Sequence, residues 1–163
     1  MTSRAEKKEF DPASTETAKK HALWLLDQRD YSRFELRKKL TDKGWTDAAA
    51  DAAVDRLAEL GFVDDARYAP IVVRHYAAKG YGARRVQAEL QRRGIPKELW
   101  DAAMTEMPEQ DETVDRLLRA RLRGADVSDR AALKRATDAL QRKGYGWDEI
   151  APALERLRAE REE

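Results

Sequence analysis

Basic residues at matched positions are the part of this sequence best placed to do chemistry. In 33–43, Arg33, Arg37, Lys38, Lys39 and Lys43 stand against Glu35 and Asp42, a net of +3. In 83–93, Arg84, Arg85, Arg92 and Arg93 stand against Glu89, again +3. In 133–143, Lys134, Arg135, Arg142 and Lys143 stand against Asp138, +3 once more. Arg116, Arg119, Arg121 and Arg123 add a further basic patch. Cations repeated at helical spacing either meet anions, phosphates or an acidic protein surface, or form a solvated face laced with salt bridges, and the same sign recurring in three segments favours the first. The intervening segments carry the opposite sign: 47–60 sums to −3 and 97–107 to −2. Over the whole chain 32 basic residues nearly cancel 31 acidic ones, so any anion-binding face must arise from segregation rather than from a general basic field.

Catalytic constellations are scarce. His21 and His75 are the two histidines, each with helical neighbours, and are expected to be packing or surface residues. Without cysteine there are no disulfides, thiolate nucleophiles or thiolate metal ligands, a composition that suits a reducing cytoplasm. Gly80-Tyr81-Gly82-Ala83-Arg84-Arg85 begins like a phosphate loop. It lacks the third glycine, the preceding strand and the lysine, and reads better as a helix stop and a tight turn. Asp64-Asp65 reads as a helix cap rather than a magnesium site. The expectation is no enzyme, no metal and no cofactor. No apolar run is long enough to span a membrane, and Met1–Phe10 has no apolar signal-peptide core.

A repeat spaced by 50 residues organises these features. Leu40, Leu90 and Leu140 coincide, followed by Gly44, Gly94 and Gly144 and then by Trp45, Ile95 and Tyr145. Ala53, Ala103 and Ala153 form another column, with Leu57, Met107 and Leu157 beyond it. A glycine four residues after a core leucine, with an apolar residue behind it, is a helix stop, and Gly61-Phe62 supplies one more. Ser32 and Glu35 fit a capping box, while Thr46 and Ser128 are further candidate N-caps. Tyr31 with Leu36, and Tyr81 with Val86, have the spacing of hydrophobic staples. No segment alternates with the period of a strand.

The expected architecture is all-α. A flexible tail over 1–13 precedes three three-helix repeats over 14–62, 63–108 and 109–163, stacked into an elongated, curved array. Pro70 should delay or kink the helix that contains it, and Pro152 falls near the start of the last helix. Trp24, Trp45, Trp100 and Trp147 are expected in the core. Equivalent helices should follow one another on one side of such an array. Arg33, Arg37, Lys38, Lys43, Arg84, Arg85, Arg92, Arg93, Arg116, Arg119, Arg123, Lys134, Arg135, Arg142 and Lys143 would then form one basic stripe. Leu40, Gly44, Gly61, Asp64, Asp65, Leu90, Gly94, Leu140 and Gly144 are expected to be structural.

Three segments together resemble the RecX family of regulatory proteins: Ser32–Leu40, Gly61-Phe62-Val63-Asp64-Asp65-Ala66-Arg67-Tyr68-Ala69, and Lys79–Ile95. The likeness covers 15–107 strongly and 109–160 more weakly. It implies a monomeric cytoplasmic regulator that binds the RecA recombinase along the groove of the RecA–DNA filament. Such a regulator would reduce RecA's ATPase, strand-exchange and coprotease activities, and so influence homologous recombination, DNA repair and the SOS response. Some members also bind single- or double-stranded DNA. The family has no agreed catalytic residues. Direct DNA binding through the basic second helices is the alternative expectation.

Overall fold

The computed structural model describes residues 9–163; residues 1–8 of the expected tail lie outside that range. The described residues form nine α-helices and one 3-10 turn, with no strand. They are α1 (Thr15–Gln28), α2 (Arg33–Lys43), α3 (Asp47–Glu59), α4 (Asp65–Ala78) and α5 (Ala83–Arg92). The turn Lys97–Leu99 leads into the short α6 (Trp100–Met104), followed by α7 (Asp111–Leu122), α8 (Arg130–Arg142) and α9 (Trp147–Glu162). The chain divides into two compact units, one through Tyr68 and one from Ala69 onward, the division falling inside α4.

Unit one is built on α1, α2 and α3. The Ser32 hydroxyl accepts the Glu35 N–H at 3.0 Å, and the Glu35 carboxylate accepts the Ser32 N–H at 3.2 Å. Thr46 accepts the Ala49 N–H and starts α3. Leu36, Leu40, Ala50, Ala53 and Leu57 are fully buried in one core with Ala18, Ala22 and Val63. Trp45 closes that core, donating its ring N–H to the Thr17 hydroxyl at 3.1 Å. The His21 ring lies between Trp45 and Trp24, 5.2 and 5.5 Å away, and burial together with Lys43 holds its pKa below the ordinary value. Of the remaining tail residues, Phe10 packs edge-on against Trp45, and the Pro12 carbonyl accepts the Thr46 N–H.

Asp64 and Asp65 play different parts. The Asp64 carboxylate accepts the Arg67 N–H in the first turn of α4. Asp65 is buried and reaches back to the start of α2, accepting the Arg33 N–H at 3.0 Å. Burial pushes its carboxyl above the ordinary range, opposed by that N–H.

In unit two, α7, α8 and α9 enclose Val114, Leu118, Ala136, Leu140, Tyr145, Ile150 and Ala153, with α4, α5 and α6 burying Val72, Val73, Val86, Leu90, Ile95 and Ala103. The repeat columns therefore map onto the interior. Leu40, Leu90 and Leu140 are each at most 1% exposed, and Gly44, Gly94 and Gly144 all adopt positive φ.

Four expectations are corrected. Trp24 and Trp147 are more than half exposed, so only part of the tryptophan set is core. The N-cap of α8 is Asp129, which accepts the Ala131 and Ala132 N–H groups; the Ser128 N–H instead donates to Asp126. Of the two effects expected of Pro70, the delayed start is overturned, since α4 begins at Asp65, and Pro152 lies beyond the first turn of α9. The segment 97–107 forms a 3-10 turn and a five-residue helix rather than one long helix. Pro96 and Pro108 bracket it, and neither the residue before a proline nor the proline itself extends an α-helix readily.

Candidate functional site

The expected cations have two distinct fates. In unit one the basic α2 lies against the acidic α3, which pairs with its two arginines. Arg33 pairs with Asp55, and Arg37 pairs with Asp51 and, at 3.6 Å, with Asp47. Lys38 pairs with Asp42 one turn along its own helix at 2.8 Å. Lys43 makes no ion pair among the described residues. The opposite charges of 33–43 and 47–60 thus form a ladder between neighbours.

In unit two Arg92 and Arg93 are also engaged. Both hold Glu89, which is 5% exposed, Arg93 at 2.9 Å. The Arg92 guanidinium, helped by Tyr76 and Arg93 and opposed by burial, brings the Glu89 carboxyl down to about 2 from 4.5. A depressed carboxylate stabilises the fold above the unfolded value, and that contribution disappears as pH falls toward 2. Glu89→Gln is expected to lose on the order of 2 kcal/mol at neutral pH, after discounting the solvent screening of exposed Arg92. Urea unfolding from pH 7 to pH 3 checks this: the gap between wild type and variant should be constant above about pH 5 and narrow below pH 4.

An interlock of glycines brings the start of α5 against the turn that follows α8. The Gly82 N–H donates to the Lys143 carbonyl at 2.8 Å, and the Arg84 N–H to the Gly144 carbonyl at 3.2 Å. A Cβ on Gly82 would lie 2.6 Å from the Gly144 carbonyl, and one on Gly144 would lie 2.5 Å from the Arg85 N and Cβ. Gly82 has an ordinary extended conformation, so it is glycine for close approach and not for positive φ. The Tyr145 hydroxyl locks the joint by donating to the Gly80 carbonyl at 2.7 Å, with the Gln110 side-chain oxygen 3.2 Å away. Burial, then Glu149, pushes the Tyr145 phenol up to about 12. Tyr145→Phe leaves the Gly80 carbonyl unpaired and is expected to cost about 1–2 kcal/mol in denaturant unfolding.

The interlock sets Arg85 and Lys143 at Tyr81, while the Arg84 guanidinium lies beside Gly146. The Arg85 guanidinium and the Lys143 ammonium lie 5.4 and 5.5 Å from the Tyr81 ring centre. Neither these three nor Arg142 pairs with a carboxylate among the described residues. Arg142 also lines a groove of about 560 Å³ between the end of α7 and α8, with Arg121, Arg123 and Arg135. Both carboxylates there are occupied, Asp129 in capping α8 and Asp138 in holding Lys134 at 2.8 Å. Arg123 stands at the α7 C-cap with φ 50, a left-handed conformation that costs a non-glycine residue about 1 kcal/mol. Arg119 pairs with Glu160, and Arg116 makes no ion pair among the described residues. Arg121 was outside the expected stripe, as were Tyr81 and Gly82. The Gly-X-Gly spacing shared by 80–82 and 144–146 was the available signal for the interlock. Among the described residues no three His, Asp or Glu side chains are placed to hold a metal, and no helix is long and apolar enough to cross a membrane.

Residues 18–57 match the family model described as RecX, first three-helix domain, and residues 64–104 match that of the second three-helix domain. The curated Regulatory protein RecX of Stenotrophomonas maltophilia is 41% identical over 139 residues, covering 85% of both chains. This chain belongs to the RecX family. The RecX of Vibrio campbellii is 33% identical over 87% of this chain and 92% of its own. The crystal structure of RecX from Lactobacillus salivarius superposes with a TM-score of 0.79 at 21% identity, over 89% of this chain and 97% of that one. The RecX fold of tandem three-helix domains is therefore the fold of this chain, and its relatives are regulatory proteins.

Proposed function

We propose that this chain is a non-catalytic regulator of RecA that binds the RecA–DNA filament along its groove and lowers its ATPase, recombinase and coprotease activities. The observation that carries the reading is the set of cations at the α5–α8 joint and in the α7–α8 groove, which form no ion pair with a carboxylate of their own unit. Family membership supports RecA as the target. Burial of a free guanidinium against an anion of the filament adds a charge-assisted hydrogen bond that the isolated protein lacks. Several such contacts made by one chain act at high effective concentration, so modest individual affinities combine.

The test is ATP hydrolysis by RecA on single-stranded DNA with sub-stoichiometric protein added, alongside co-sedimentation with the filaments. Inhibition with co-sedimentation is expected; absence of both overturns the reading. The four-arginine groove favours one alternative, direct binding to DNA. Binding of that kind needs no RecA and weakens steeply with salt. Tight RecA-independent capture of DNA, combined with an unaffected RecA ATPase at saturating DNA, would select it.

A further inference from the structure

Unit one holds an apolar feature that the cation surface does not explain. Trp24 and Phe62, 58% and 51% exposed, converge on one groove of about 620 Å³ between the C-terminal half of α1 and the turn from α3 to α4. Leu23 and Leu26 line it as well, and Asp27 and Asp30 complete it. A single exposed leucine is ordinary; two aromatics and two leucines sharing one concavity are not.

The groove is held in shape. The Trp24 ring is stacked on His21 at 5.5 Å. The Phe62 N–H donates to the Leu57 carbonyl at 2.9 Å in the stop of α3. Arg67, also at the groove, directs two nitrogens to the Gly61 carbonyl at 3.3 Å, so its guanidinium serves the turn. Asp27 and Asp30 make no ion pair among the described residues. Two carboxylates without partners beside an apolar floor repel a phosphate backbone and attract a cationic side chain. A tryptophan in a preformed concavity with a charged rim has the composition of a protein-binding hot spot.

We propose that this groove docks a segment of a partner protein in which an apolar side chain lies beside a lysine or arginine. The assignment rests on the regulatory reading above, and the segment then belongs to the protein surface of the RecA filament and not to its DNA.

Three variants test it: Phe62→Ser, Trp24→Ala and the double reversal Asp27→Lys/Asp30→Lys. Each is measured for sedimentation with RecA filaments, for binding to naked single-stranded DNA, and for helix content and thermal midpoint. Filament affinity is expected to fall at least about tenfold in each, with DNA binding unchanged. Phe62 and the two aspartates lie outside the core cluster, so these variants keep the wild-type midpoint even if loss of the His21–Trp24 contact lowers it for Trp24→Ala. Filament binding at wild-type strength by Phe62→Ser and by the aspartate reversal overturns the groove while leaving the regulatory reading intact. A wild-type protein that ignores filaments overturns both. Wild-type self-association that Phe62→Ser abolishes makes a second copy of this chain the occupant and overturns the proposal.

Discussion

Replacing Gly82 or Gly144 by alanine is expected to remove roughly 3–5 kcal/mol of unfolding free energy, a large share of a small domain's stability. The new methyl group would stand 2.5–2.6 Å from backbone or Cβ atoms of the facing turn, where no flexible side chain can move aside. Relief requires α5 to withdraw from the α8–α9 turn, which breaks the Gly82–Lys143 and Arg84–Gly144 hydrogen bonds. Gly61→Ala supplies the contrast. Gly61 has φ +81 but open space around its missing Cβ, so only the left-handed conformation is penalised, at about 1 kcal/mol. Urea midpoints of the three variants give the order directly. Equal midpoints for Gly82→Ala and wild type would mean that the joint is not close-packed.

The second large effect is on regulation. A variant carrying Arg84→Glu, Arg85→Glu, Arg142→Glu and Lys143→Glu is expected to need on the order of 100-fold more protein to inhibit RecA, with helix content preserved. Among the described residues these four cations have no carboxylate partner to strand. Reversing Arg92 and Arg93 would be a poorer choice, because it leaves the buried Glu89 carboxylate facing like charges and unfolds the helix instead of testing the surface. Reversing Arg33 and Arg37 removes exposed pairs worth a few tenths of a kcal/mol to about 1 kcal/mol each and should leave potency near wild type. Normal inhibition by the fourfold variant excludes the α5–α8 joint as the contact surface.

The periodic parts of the fold are legible in the sequence. Leu40, Leu90 and Leu140 fall where a buried stripe and a glycine stop intersect, and both signals are local. The Ser32–Glu35 capping box is legible for the same reason: donor and acceptor lie three residues apart. Legibility fails where a partner is distant in sequence. Nothing near Arg33 announces Asp55 22 residues away, or near Arg37 announces Asp51 14 residues away, so net charge per helix overstates the free charge of α2. Tryptophan has the same weakness. Its size argues for burial, yet Trp24 lies beside the buried face of α1 and not on it. The function of Gly82 was hidden because its reason is another turn passing within van der Waals distance, and that turn lies more than 60 residues downstream.

Asp65 sets where this chain can be divided. It belongs by sequence to the fourth helix, yet it supplies the acceptor for the Arg33 amide at the head of the second. A fragment stopped after Phe62 would contain every helix of the opening repeat and still leave that amide without its acceptor. One extended to Tyr68 would carry the missing carboxylate with it. During synthesis the same dependence means that the opening repeat is finished only when the first residues of its successor have left the ribosome.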